Sequence, residues 1–208
     1  MAGNANKARI VAVMGASGTG KSTWVYRQIE KQKRLMIWSP KEAIDDYAGR
    51  LGGMKCDSAQ QLLDALTAAK RGPVRVVYQP PVNRKEAEKA FGFFCKIALA
   101  ANNVCVLVEE LHTVTRPSWA PDGWSNLILM GRGYGVQVYG VSQRPASVDK
   151  DFFSNCNLVH AGRVNYEDDA KVLSKSLMVD WQEMLNLPDM AYIERSAPKP
   201  AQRGVVKA

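Results

Sequence analysis

The chain has 208 residues, 46% of them hydrophobic and 23% charged, with 28 Lys+Arg against 20 Asp+Glu for a formal net charge of +8. That length suits one domain with a sheet covered on both faces, and the basic balance is a weak pointer to a polyanionic partner. The four cysteines, Cys56, Cys95, Cys105 and Cys156, include no C-x-x-C pair, which argues against a structural zinc or a disulfide framework, and no apolar stretch approaches the length that spans a bilayer.

Residues 1–8 form a short polar leader without the apolar core of a signal peptide, expected to be flexible. Arg9-Ile10-Val11-Ala12-Val13-Met14 follows, an apolar run of the kind that makes a buried parallel strand. Gly15-Ala16-Ser17-Gly18-Thr19-Gly20-Lys21-Ser22 then fits G-x-x-x-x-G-K-[ST] without a mismatch. Residues 22–33 have helical character, so strand, glycine loop and helix stand in the order the motif requires. The flanking elements argue against a chance glycine-rich turn.

The chemistry needs those residues at that spacing. Glycines let successive backbone N–H groups turn inward around an anion, and the helix start adds the positive end of its dipole. Lys21 reaches the β- and γ-phosphates, and the Ser22 hydroxyl sits on Mg²⁺. Residues Gly15, Ala16, Ser17, Gly18, Thr19, Gly20, Lys21, Ser22 and Thr23 are therefore the expected nucleotide-binding set, for ATP with Mg²⁺. No guanine-reading N-K-x-D motif is present.

The following helix carries Trp24, Val25 and Ile29 on its apolar side and ends in Lys31, Lys33 and Arg34, read as a solvated helix end. Residues 34–39 read as a second strand stopped by Pro40, and residues 45–53 as a glycine-containing loop. Residues 58–71 make an amphipathic helix capped by Ser58, residues 74–78 a third strand, and residues 84–101 a long helix with Phe91, Phe94, Ile97 and Ala98 inward.

Val104-Cys105-Val106-Leu107-Val108 runs straight into Glu109-Glu110. Behind a phosphate-binding loop, an apolar strand ending in carboxylates is where a Walker B element belongs, because ligands bind at the carboxyl ends of parallel strands. Glu109 would hold Mg²⁺, directly or through a water, and Glu110 would polarise the attacking water as general base. A kinase that transfers phosphate to a bound hydroxyl has no need of a water-activating acid, whereas an ATPase driving motion does. His112 reads as structural.

Residues 113–124, with Arg116, Trp119 and Trp124, are too long and proline-rich for a tight connection. They read as a loop pinned by two partly buried tryptophans, or as a surface that tracks a nucleic-acid backbone. A helix begins at Ser125, and residues 136–141 form a strand that ends in Ser142-Gln143-Arg144-Pro145. A polar Gln143 there suits a γ-phosphate sensor. A short helix over 148–153, a strand over 157–162, a helix over 166–177 and a last strand over 188–195 follow. Residues 196–208, basic and proline-containing, are expected to be disordered, leaving residues 9–195 as the ATPase domain.

The phosphate loop, Glu109-Glu110, Gly131-Arg132-Gly133-Tyr134-Gly135-Val136, Val141-Ser142-Gln143-Arg144-Pro145 and Asn155-Cys156-Asn157, in that order, resemble the FtsK–HerA superfamily of DNA-pumping ATPases. The small size is most similar to the genome-packaging ATPases of tectivirus-type, internal-membrane, double-jelly-roll viruses. The resemblance covers about residues 10–177. It implies a three-layer α/β, RecA-like P-loop fold with a mostly parallel central sheet. Lys21 and Ser22 match phosphate and Mg²⁺ binding, Glu109 and Glu110 the Walker B and catalytic acids, and Gln143 the polar sensor. It also implies a ring, usually a hexamer, in which an arginine reaches the neighbour's γ-phosphate; Arg132 is the first candidate, with Arg144 and Arg163 as alternatives. Glu109 departs from the Asp common at its position.

The expected function is an ATP-driven motor moving double-stranded DNA into a viral procapsid, with a capsid portal or vertex protein as a further partner, in the host-cell cytoplasm or carried in the virion. DNA binding would be sequence-independent, with the Arg116 loop and the basic tail as contacts. The rivals are a phage-assembly or secretion ATPase related to the zonula-occludens-toxin group, a nucleotide or small-molecule kinase, and a nucleotide-gated adaptor without hydrolysis.

Overall fold

The structure, a computed structural model, describes residues 8–207; residues 1–7 of the expected leader lie outside the described residues. The chain is built around β1 (Ile10–Met14), whose five residues are all buried. A continuous apolar run suits a strand covered on both faces. α1 (Lys21–Ile29) follows the phosphate loop and leads to β2 (Arg34–Trp38).

Between β2 and β4 (Val74–Tyr78) lie α2 (Glu42–Asp45), α3 (Tyr47–Leu51), β3 (Met54–Cys56) and α4 (Ala59–Ala69). The expected loop over 45–53 is corrected here. Asp46, in the left-handed region at φ 48°, accepts from the Gly49 N–H and caps a five-residue helix that buries Tyr47 and Leu51. One turn and a half is too short for apolar periodicity to declare itself. Ser58 Oγ caps α4 as expected, accepting from the Gln61 N–H.

α5 (Arg84–Ala101) starts where the Asn83 side chain accepts from the N–H groups of Lys85 and Glu86. It buries Phe91, Phe94, Ile97 and Ala98. β5 (Cys105–Val108) is wholly buried. α6 (Asp122–Met130), β6 (Gln137–Ser142), α7 (Lys150–Asn155), β7 (Leu158–Gly162), α8 (Glu167–Leu177) and α9 (Trp181–Asn186) complete the wound portion. Trp124 belongs to α6, is fully buried and donates from Nε1 to Asp149 Oδ2 at 2.9 Å. Trp119 is 40% exposed, with the Arg116 guanidinium 4.6 Å above its ring. The long loop is thus fastened by one tryptophan rather than two.

β8 (Ala191–Ser196) and β9 (Gln202–Val205) close the sheet, whose order is β3-β4-β2-β5-β6-β1-β7-β8-β9. Strands β1 to β7 pair in parallel and β8 and β9 are antiparallel. The expectation of a disordered tail fails over Gln202–Val205. β9 pairs with β8 from Ala191↔Val205 to Glu194↔Gln202, Arg203 forms a two-bond ion pair with Glu183, and Val206 is buried. The prolines sit in the connection, where they remove no ladder bond, and Arg203, one of the basic residues that suggested disorder, has a carboxylate partner.

Alternate strand residues face two apolar layers. Val11, Val13, Leu35, Ile37, Tyr139 and Val141 pack beneath α1 and α3 with Val25, Ile29, Tyr47 and Leu51. Ala12, Met14, Met36, Trp38, Val106 and Val138 pack against the aromatic and aliphatic side chains of α4 to α8. This is the expected three-layer α/β arrangement. It brings the carboxyl ends of β1, β2, β5 and β6 to one edge, where the polar residues of the loops gather.

Candidate active site

The loop after β1 is anchored to both of that strand's neighbours. The Gly15 N–H donates to the Ser142 carbonyl at 3.2 Å, and the Ala16 N–H to the Arg163 carbonyl at 2.7 Å. Gly15 lies at φ 143°, and a Cβ on it would meet Thr19 Oγ1 at 2.9 Å and the Gly162 carbonyl carbon at 3.2 Å. A side chain fits neither the backbone nor the space. Thr19 is buried, its hydroxyl donating to the Ala16 carbonyl at 2.9 Å. Its side chain therefore braces the loop, and only its backbone is available to a phosphate.

The first intrahelical bond of α1 runs from the Trp24 N–H to the Gly20 carbonyl. The N–H groups of Lys21, Ser22 and Thr23 precede it, the donors that a helix start offers to an anion. Lys21 is 8% exposed and donates from Nζ to the Ala16 carbonyl at 2.7 Å. Burial pushes its pKa down, against the pull of Glu109 and Glu110, and the nearby Lys41 charge adds to the fall. Ser17, Gly18, Gly20, Ser22 and Thr23 join Lys21 along a cleft of about 540 Å³.

Across the cleft, the Glu109 N–H continues the ladder to the Trp38 carbonyl, so this acid is held at the end of β5. Its carboxylate is buried and accepts from the Tyr47 hydroxyl. Burial raises its pKa to about 7, with Asp45 and Glu110 pushing the same way and the Tyr47 hydrogen bond and Lys21 opposing. Glu110 adopts φ 50°, ψ 44°, an uncommon backbone for a glutamate. A 3₁₀ turn, Leu111–Thr113, fixes it there, with the Thr113 N–H and hydroxyl both donating to the Glu110 carbonyl at 2.8 Å. Unusual backbone held by its surroundings is common where chemistry is done.

The Glu110 carboxylate is the meeting point of the site. Its Oε1 accepts from Gln143 Nε2 at 2.9 Å and from Lys41 Nζ. His112 Nδ1 lies 3.5 Å from Oε2 and 3.0 Å from Ser142 Oγ, and burial lowers its pKa. Gln143 arrives from β6, the strand between β1 and β5, so the sensor position stands between the phosphate loop and the acids.

Lys21, Ser22, Glu109, Glu110 and Gln143 therefore line one cleft, as the sequence implied. Arg132 does not. It is exposed on a 3₁₀ turn, Gly131–Tyr134, ahead of β6 and so at the opposite end of the sheet. Arg144 pairs with the buried Asp169 at 3.0 Å and lies 4.4 Å over the Tyr166 ring. Arg163 bonds Asn165 and Asp189. Among the described residues no arginine lines the cleft.

Sequence reasoning missed Lys41, Asp45 and Tyr47, all supplied by the segment after β2. Burial raises the Asp45 pKa, and Lys41 is raised first by its hydrogen bond to Glu110. The available signal was positional: Pro40 ends a strand whose carboxyl end must open on the same edge as the others. Met190, next to β8 and within the expected last strand, borders the cleft beside Gly20.

No family model matches the chain. Protein P9 of Pseudoalteromonas phage PM2 is 29% identical over 183 residues, 86% of this chain and 79% of that protein. Among solved structures, the genome packaging NTPase B204 of Sulfolobus turreted icosahedral virus 2, in complex with AMPPCP, matches with TM-score 0.69 and 12% identity, covering 94% of this chain and 96% of that one. VirB4 of Thermoanaerobacter pseudethanolicus matches with TM-score 0.70 and 10% identity over 100% and 92% of the two chains. The fold is shared with these two solved structures over nearly the whole chain.

Proposed function

We propose that this chain is an ATP-driven DNA-translocating motor that packages double-stranded viral DNA into a procapsid. The observation that carries the reading is the convergence, in one cleft, of a complete phosphate loop with a paired-acid strand end and a sensor glutamine on the strand between them. The similar proteins point to the same work: B204 is named a genome packaging NTPase and was solved with the ATP analogue AMPPCP, and P9 is a phage protein.

The substrate is ATP with its Mg²⁺. The Lys21, Ser22 and Thr23 N–H groups and the Lys21 ammonium take the phosphates. Ser22 and Glu109, which both line the cleft, would hold that cation, and hard oxygen donors suit it. The bound cation would neutralise phosphate charge. Glu110 accepts the proton of the attacking water, and Gln143 orients Glu110 and that water.

The motor works as a ring, a hexamer in its simplest form, in which Arg132 reaches a neighbour's γ-phosphate. Its place away from its own cleft supports a role in trans. The pore contacts DNA phosphates without reading sequence, through Arg116 and the basic residues of the C-terminal hairpin, and repeated weak contacts around a ring sum by multivalency. The ring docks on a capsid portal or vertex protein in the host-cell cytoplasm. Among the described residues no helix is long and apolar enough to cross a membrane.

The test is ATP hydrolysis with and without double-stranded DNA at two salt concentrations, beside Lys21→Ala and Glu110→Gln. The reading expects stimulation by DNA that fades with salt and is lost in both variants. Hydrolysis indifferent to DNA would favour a kinase-like enzyme instead.

A further inference from the structure

Lys41 has no place in the roles assigned so far, yet it holds the central acid. It follows Pro40 at the carboxyl end of β2 and sits ahead of α2, where the Ile44 and Asp45 N–H groups donate to its carbonyl at 2.8 and 2.9 Å. Its backbone is therefore fixed while its side chain is 48% exposed. The ammonium donates to Glu110 Oε1, the same oxygen that accepts from Gln143. The Glu110 side chain is only 11% exposed.

Two consequences follow from simple electrostatics. A carboxylate oxygen that already accepts from an ammonium and an amide has its lone pairs engaged and is not free to accept from a water. An ion pair with one half-exposed partner is also held weakly, so a stronger anion can take the cation away. The cleft bounded by Lys41 is the one bounded by the phosphate loop. The Lys41 charge is felt at Lys21, whose pKa it lowers. With a nucleoside triphosphate on Lys21, the terminal phosphate would share the cleft with Glu110 and Lys41. That phosphate carries more charge and more acceptor oxygens than the carboxylate, and a diphosphate lacks it.

We propose that Lys41 is a second phosphate-binding lysine that senses the γ-phosphate, leaving Glu110 Oε1 for the terminal phosphate when a triphosphate binds. The exchange does two things at once. It places a cation where negative charge develops during hydrolysis. It also frees Glu110 to accept the water proton only when the substrate is in place, so the base stays masked when a diphosphate occupies the loop. Lys21 serves the β-phosphate that both nucleotides share as well as the γ-phosphate, so its loss does not single out the triphosphate. The inference rests on the nucleotide-binding reading of the cleft.

The experiment compares binding of AMPPCP and ADP, each with Mg²⁺, to the parent chain, Lys41→Gln, Lys41→Arg and Lys21→Ala. Losing one charge-assisted contact to a single phosphate predicts about a tenfold weaker AMPPCP affinity in Lys41→Gln, with ADP changed by less than about twofold. Lys41→Arg, which keeps the charge, restores most of the AMPPCP affinity. Lys21→Ala weakens both nucleotides together. An unchanged AMPPCP-to-ADP ratio in Lys41→Gln would overturn the proposal and leave Lys41 a surface partner of Glu110. A parent chain that bound neither nucleotide would overturn this proposal and the functional reading together.

Discussion

Gln143 Nε2 donates to Glu110 Oε1 across 2.9 Å, joining two residues 33 positions apart at the ends of neighbouring strands. The bond fixes which carboxylate oxygen is shared and leaves Oε2 towards His112. Gln143→Ala should lower kcat by about 10- to 100-fold, within the usual range for groups that orient a general base and its water, while KM for ATP changes little. Steady-state hydrolysis separates the two effects; a rise in KM with kcat intact would mean that Gln143 serves binding alone.

Glu109 predicts a stability that depends on pH. Burial raises its pKa from an ordinary value near 4.5 to about 7 in the folded chain. Between those values the folded state holds more protons than the unfolded one, so stability is full below about pH 4.5 and falls as pH rises through 7. Glu109→Gln removes that loss and still accepts from Tyr47. The variant should exceed its parent by up to about 3 kcal/mol at pH 8 and match it near pH 4. Denaturant unfolding at the two pH values, without nucleotide, checks the sign; equal stability at pH 8 would contradict a buried, destabilising carboxylate.

Gly162→Ala should damage the phosphate loop from outside it. A Cβ there would lie 2.7 Å from Thr19 Cβ, and Thr19 is buried at 2% exposure. The overpacking should cost about 1–3 kcal/mol. It should also weaken nucleotide binding, because Thr19 ties the loop through Ala16. Thermal unfolding and AMPPCP binding report the two effects.

Removing residues 197–208 should destabilise the chain and reach the active site. The cut deletes β9 and Val206, whose Cβ lies 3.2 Å from the place a Cβ on Gly20 would occupy, and whose N–H donates to the Met190 carbonyl. At about 2–4 °C per kcal/mol for a domain of this size, the loss of a paired strand should lower Tm by several degrees. AMPPCP affinity should fall as well, whereas a disordered tail would leave both unchanged.

What the sequence disclosed and what it withheld follow from the range of the interactions. The phosphate loop and the strand into Glu109-Glu110 are local patterns, so β1, α1 and β5 fell where the residues put them. Gln143 was legible as the polar end of an apolar strand. Lys41 and Tyr47 were not, because they meet Glu110 and Glu109 from 69 and 62 residues away, Lys41 as the cap of a four-residue helix and Tyr47 in a helix of five. β9 was hidden for a related reason. Its pairing depends on the open edge of β8, and Arg203 reads as a disordered basic residue until Glu183 is placed beside it.

The most direct test of a DNA motor is movement along DNA. We would follow displacement of a triplex-forming strand from double-stranded DNA by the parent chain and by Glu110→Gln. The account predicts displacement with ATP, none with AMPPCP and none in the variant. ATP hydrolysis by the parent chain without displacement would contradict it.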